Sequence, residues 1–145
     1  AKHSEASKIF SIDINPAAVQ YMRENVKLNR VMERVLPLEG DARRIVEERL
    51  RNVADRVLMP LPERAYEYLD CAVSALKPAG GWIHYYDFEH AGKGEKPVEK
   101  VKLKLAGKLE NLGAKFETSF GRVVRATGPN WYQVVLDVKI FSKLK

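Results

Sequence analysis

The sequence contains one cysteine, Cys71, so neither an intrachain disulfide nor a thiolate metal cluster can form. Its three histidines, His3, His84 and His90, lack the close spacing of metal-ligand pairs, and no metal is expected. No apolar run approaches the ~20 residues needed to span a bilayer. The N-terminus shows no charged-then-apolar signal pattern. The expectation is a protein outside membranes and the secretory route, working in the cytoplasm. There is no Gly-x-Gly-x-x-Gly, no Walker motif and no Ser-His-Asp order. Nicotinamide chemistry and classical nucleotide hydrolysis therefore have no support.

What is present fits one ordinary domain: 145 residues, 46% of them hydrophobic, enough for a single core. The net charge of +6 is uneven. Residues 1–92 carry 13 Lys+Arg against 14 Asp+Glu, whereas residues 93–145 carry 12 against 5. The excess lies in the C-terminal third, where an anionic partner such as nucleic acid can use it. The plainer reading is a solubilising surface.

Along the chain, Ile9–Ile14 reads as a strand. Asn15 is a good N-cap and Pro16 suits a first helical turn, with Val19, Met22 and Val26 following at helical spacing to about Asn29. A second strand, Arg34–Leu38, ends in Glu39-Gly40-Asp41, and Ala42–Arg51 reads as a charged helix. Ala54–Met59 is a third strand, stopped by Pro60-Leu61-Pro62. Glu63–Leu76 reads as a helix and Trp82–Tyr86 as a fourth strand. After a Gly/Lys-containing loop, His90–Lys96, comes a helix with Val98, Val101, Leu105, Leu109 and Leu112 on one side. Two long strands, Lys115–Arg125 and Tyr132–Phe141, flank a hairpin turn at Gly128-Pro129-Asn130. The alternation β-α-β-α-β-α-β implies a parallel sheet with helices on both faces, extended by an antiparallel hairpin. No repeat, low-complexity segment or internal boundary is visible.

Ligands of open α/β sheets bind at the carboxyl ends of strands. Asp13 ends the first strand, where a carboxylate can accept from both hydroxyls of a ribose; a turn or capping role is the commoner one. Asp41 ends the second strand and can meet an adenine amino group, with the Ala42 N–H on a ring nitrogen; a helix N-cap is the strong alternative. Together the two acids say more than either alone. Met59 to Ala65 forms a proline-stiffened loop that can support a flat base and offer carbonyls, or simply connect strand to helix. Tyr85, Tyr86, Asp87 and Phe88 offer stacking surfaces or core packing in equal measure, and Asp87 or Glu89 a proton acceptor. Lys96, Lys100, Lys104 and Lys108, at steps of four, form one basic stripe that can follow a phosphate backbone or be a solvated helix face.

Four segments taken together, "IDINPAAVQYMRENVKLN", "GDAR", "ADRVLMPLPERAYEYLD" and "LKPAGGWIHYYDFEH", resemble the catalytic domain of archaeal and eukaryotic tRNA (guanine-37-N1)-methyltransferases. The related aminocarboxypropyl transferases of wybutosine synthesis share that domain. The likeness covers nearly the whole chain. It implies a Rossmann-like class I methyltransferase sheet, mostly parallel with a C-terminal antiparallel hairpin, that uses S-adenosylmethionine on tRNA. Cofactor binding then falls to Asp13, Ile14, Asp41, Ala42 and Met59. The catalytic loop is Pro60, Leu61 and Pro62, and the stripe Lys96, Lys100, Lys104 and Lys108 is the nucleic-acid contact. The implied reaction is methyl transfer to N1 of the guanosine beside the anticodon.

Two departures stand out. The family loop often reads Asn-Leu-Pro or Asn-Pro-Pro, whereas Pro60 occupies the asparagine position here and supplies no side-chain amide. The resemblance also implies that the first strand and its glycine-rich turn precede Ala1. Residues 1–145 then form a partial domain whose further partner is an N-terminal portion of the same enzyme. The expected strand order, 3-2-1-4-5-7-6, lacks its third member. Rival readings are aminocarboxypropyl transfer to a tRNA base and a non-catalytic RNA-binding fragment.

Overall fold

A computed structural model describes residues 1–143 as two compact units, Ala1–Glu48 and a second beginning at Arg49.

The first unit holds two parallel strands joined by a helical crossover. Strand β1 (Ile9–Asp13) leads through Asn15 into helix α1 (Pro16–Leu28), and strand β2 (Val35–Glu39) follows. The entry to α1 is built as the sequence predicts. The Asn15 side chain accepts from the Ala17 N–H at 3.0 Å, and Pro16 occupies the first turn. Val19 is fully buried beneath the helix. The strands pair from Ile9 with Val35 to Asp13 with Glu39. Pro37 sits in β2, an outer strand of its sheet, where a missing N–H is tolerated. The helix expected over 42–51 is only partly α-helical: α2 (Ala42–Ile45) gives way to a π-helical turn, Val46–Leu50.

The second unit is a four-stranded sheet in the order β3-β4-β6-β5. Its elements are β3 (Arg56–Met59), α3 (Leu69–Ala75), β4 (Gly81–His90), α4 (Pro97–Asn111), β5 (Ala114–Gly128) and β6 (Trp131–Lys143). β3 and β4 are parallel; β6 runs antiparallel to both β4 and β5. Both helices pack on one face, in a core where Leu69, Val73 and Leu76 of α3 and Val101, Leu105 and Leu109 of α4 meet Ile83, Tyr85, Leu136 and Ile140. At a conservative 25 cal/mol per Å², each fully buried leucine or isoleucine contributes about 2 kcal/mol. The turn before β4 requires glycine: Gly80 has φ +84°, and a Cβ there would clash with the Ile140 carbonyl oxygen.

Three sequence expectations are corrected. The helix expected from Glu63 starts only at Leu69, because residues 62–68 form consecutive turns, with the Arg64 and Ala65 N–H groups both donating to the Leu61 carbonyl. The strand expected to stop at Tyr86 continues to His90, because its ladder with β6 runs unbroken from Gly81 to His90. The third strand is shorter than expected, beginning at Arg56, with Ala54 making an isolated bridge to Leu76. The two sheets have the strand orders β2-β1 and β3-β4-β6-β5, each matching a stretch of the expected order.

Candidate functional site

In the first unit the carboxyl ends of β1 and β2 bring acidic groups together. Asp13 and Glu39 are register partners on neighbouring strands, which lie ~4.8 Å apart. The Gly40 N–H donates to the Asp13 carbonyl at 3.0 Å, tying the two strand ends to each other. Asp13 Oδ1 accepts from the Asn15 N–H at 2.9 Å, so the turn role expected of this residue is present. Asp41 caps α2: its Oδ1 accepts from the N–H groups of Arg43 at 2.9 Å and Arg44 at 3.3 Å. Ile14, 69% exposed, presents an apolar side chain immediately beyond Asp13. Ala42 opens α2 beside the Asp41 cap. Carboxylates that accept hydrogen bonds, next to an exposed apolar side chain, match the donor pattern of a ribose and the flat face of an adenine. Glu39 is a third carboxylate at this edge. Its alignment with Asp13 depends on strand register, which the sequence pattern alone does not fix.

In the second unit Met59 is buried at the end of β3, Pro60 and Leu61 are exposed and Pro62 is buried. The Leu61 carbonyl, one of the acceptors the loop was expected to offer a base, is occupied by the Arg64 and Ala65 N–H groups at 3.2 and 3.0 Å. Tyr85 is not at a rim. It is fully buried, and its hydroxyl donates to Asp87 Oδ2 at 2.8 Å. Burial, reinforced by the Asp87 charge, pushes the Tyr85 phenol far above its ordinary value. Asp87, itself 4% exposed, also accepts from the Phe88 N–H at 2.9 Å and from Lys104 Nζ at 2.7 Å. A carboxylate so enclosed is a structural anion, not a proton acceptor for substrate. Glu89 lies 3.6 Å from Lys100 Nζ.

The lysine stripe is not a row of four equivalent solvent-facing cations. Lys104 neutralises Asp87. Lys108 Nζ donates to the Tyr66 carbonyl at 2.6 Å and lies 4.4 Å from the Tyr66 ring centroid, with Lys104 Nζ at 5.0 Å from the same ring. Lys100 Nζ donates to the His90 carbonyl at 2.7 Å and pairs with Glu95 at 3.3 Å. Lys96, exposed, precedes the first turn of α4. The helical spacing is as read, but three of these ammonium groups fasten α4 to β4 and to the segment after β3. A second cluster was not foreseen. His84 Nδ1 lies 2.6 Å from Asp137 Oδ1 and His84 Nε2 lies 2.6 Å from Arg56 Nη1. A guanidinium only donates, so Nε2 accepts and Nδ1–H faces the carboxylate. Arg56 and Lys139 both approach the Trp82 ring, at 5.9 and 5.3 Å. These pairings cross strands, so only the β3-β4-β6 register brings the residues together.

Acidic strand ends after parallel βα units, with an antiparallel last strand inserted between β4 and β5, define a class I, Rossmann-like methyltransferase fold. Residues 1–111 match the TRM5/TYW2 methyltransferase domain, and the chain belongs to that family. The tRNA 4-demethylwyosine(37)-methyltransferase Taw21 of Saccharolobus solfataricus is 40% identical over 131 residues, covering 90% of this chain and 45% of that protein. The tRNA (guanine(37)-N(1))-methyltransferase Trm5b of Pyrococcus abyssi is 38% identical over 137 residues, covering 94% of this chain and 38% of that protein. The crystal structure of Methanocaldococcus jannaschii TYW2 in complex with AdoMet superimposes with a TM-score of 0.84 at 31% identity, over 98% of this chain and 61% of that one. The chain thus spans less than half the length of the two curated relatives.

Proposed function

We propose that this chain is the cofactor-binding part of an S-adenosylmethionine-dependent tRNA methyltransferase that acts on N1 of the guanosine beside the anticodon. The observation that carries the reading is the acidic carboxyl ends of β1 and β2, where Asp13 precedes exposed Ile14 and Asp41 caps α2 two residues past β2, in a chain of this family. In this reading the Asp13 carboxylate accepts from the ribose hydroxyls, Asp41 and the Ala42 backbone meet the adenine, and Ile14 supplies apolar contact. Pro60, Leu61 and Pro62 form a stiff support for the target base. Bound S-adenosylmethionine supplies the electrophilic methyl group on its sulfonium. The protein's task is to align the guanine N1 with it and to let the N1 proton leave. Of the four lysines, Lys96 has the exposed position that suits a phosphate contact. The partners are tRNA and a further portion of the enzyme, the place of work is the cytoplasm, and the chemistry needs no metal.

Calorimetric titration of S-adenosylmethionine into the chain tests the cofactor site, and the mass of modified tRNA tests the reaction. Asp13→Ala should weaken cofactor binding by roughly tenfold to a hundredfold, the size of a lost charge-assisted hydrogen bond. Unchanged affinity would return Asp13 to a turn residue. A gain of one methyl group on tRNA supports the reading; an aminocarboxypropyl gain replaces it with the related transferase.

A further inference from the structure

The sheet of the second unit extends well past the end of β3. Met59 is in register with Tyr85, and β4 continues five residues to His90, about 17 Å at 3.3 Å per residue. β6 and β5 continue beside it, forming a three-stranded ledge. The register fixes which side chains share a face. Tyr86, Val135 and Arg122 form one row, Phe88, Gln133 and Arg125 the next, and His90, Trp131 and Gly128 the last. Helices α3 and α4 pack on the opposite face, that of Tyr85, Val134 and Leu136. No described helix of this unit packs on the ledge face.

Its chemistry is one-sided. Arg122, Arg125 and His90 are exposed, and Trp131 is 48% exposed, edge-on to His90 at 5.5 Å. Arg125 Nε donates to Gln133 Oε1 at 2.9 Å, which orients its guanidinium. The ledge rows carry no carboxylate on this face. Asp87 points to the helix face with Tyr85, and Glu89 lies by Lys100 of α4.

We propose that this ledge is a contact surface for single-stranded RNA beside the target nucleotide. Trp131, with His90 and Phe88, stacks on unpaired bases, and Arg122 and Arg125 hold phosphates. That the RNA is a tRNA anticodon loop rests on the function proposed above. A second copy of the chain fits poorly, because residues 93–145 carry 12 basic against 5 acidic residues and would repel one another.

The test is fluorescence anisotropy of a labelled anticodon stem-loop RNA with the whole chain at several salt concentrations. Trp131→Ala should weaken binding about tenfold or more, and Trp131→Phe should restore most of it. Arg122→Gln with Arg125→Gln should lower the slope of log affinity against log salt by about 1 to 2. Lys102→Gln, on α4 and paired with Glu99, should change neither quantity. Unaltered affinity and slope in the ledge variants, no RNA binding by the unaltered chain, or dimerisation through the ledge in sedimentation would each overturn the proposal. Cofactor titration of the same variants separates the two readings. RNA binding lost with cofactor binding kept supports the ledge. Ledge-dependent RNA binding with no cofactor affinity, even when the further portion of the enzyme is present, sinks the transferase reading alone.

Discussion

Replacing Lys104 by methionine keeps most of the side chain's length and removes its charge. The Asp87 carboxylate, whose side chain is 6% exposed, is then left with the Tyr85 hydroxyl and the Phe88 N–H as partners. Breaking a fully buried ion pair costs ~3–5 kcal/mol, whereas an exposed pair contributes ~0–1 kcal/mol. Lys104 is itself 37% exposed, so water can partly replace it, and the expected loss is about 2 kcal/mol. For a chain of this size that lowers Tm by roughly 4–8 °C. Urea unfolding should show the midpoint falling at unchanged slope. Asp87→Asn removes the stranded charge, so the double variant should recover at least ~1 kcal/mol relative to additivity. A loss below ~0.5 kcal/mol for Lys104→Met, or simple additivity, would refute the picture of a buried anion held by this lysine. The same variant should leave the salt dependence of RNA binding unchanged, since an ammonium committed to Asp87 releases no counterion from a phosphate.

Above about pH 10 an unfolded tyrosine ionises while buried Tyr85 stays neutral, so stability present below that pH should decline as pH rises. Chemical unfolding between pH 9 and 11 should show this decline flattened in Tyr85→Phe, which also loses roughly 1–2 kcal/mol at neutral pH with its hydrogen bond to a charged acceptor. The Gly92 N–H, with Lys100 in support, holds the Glu95 carboxyl below its ordinary value of 4.5. Its ordering of the 92–96 loop is therefore present above that pH and lost below it. The protection factor of the Gly92 amide, its exchange rate relative to the unprotected rate at the same pH, should fall in Glu95→Gln and, for the unaltered chain, as pH drops through the carboxyl's lowered range. Gly80→Ala places a Cβ against the Ile140 carbonyl at a left-handed φ and should destabilise the fold by at least ~2 kcal/mol, measured by thermal unfolding.

Features set by neighbouring residues were legible in the sequence. The Asn15 cap, the Pro16 start and the hairpin turn, where Asn130 takes φ +59°, each follow from local chemistry. The strand orders follow from the family resemblance and from the alternation of elements. The outer half of β4 was missed because Asp87 and Glu89 are poor strand formers. What keeps Asp87 there is Lys104, seventeen residues later and on another element. Residues 63–68 carry a helical apolar pattern yet form turns, with Lys108 fastened to the Tyr66 carbonyl. The lysine stripe was read correctly as spacing, but its partners lie on β4 and the post-β3 segment, which periodicity cannot reveal. At the acidic edge, the sequence located Asp13 and Asp41 at strand ends. The neighbouring Glu39 needed the register.

The central position of β6 also bears on synthesis. β6 separates β4 from β5, yet it is the last of these strands to be made. While the ribosome is still extending the chain, β4 has β3 on one side and no neighbour on the other. Its outer edge, with backbone donors and acceptors beside Ile83 and Tyr85, is then open to strands of other chains. Closure of the sheet waits for the hairpin turn at Pro129-Asn130 to bring β6 into the gap. Substitutions that slow this turn should lower the yield of soluble protein more than they lower the stability of molecules already folded.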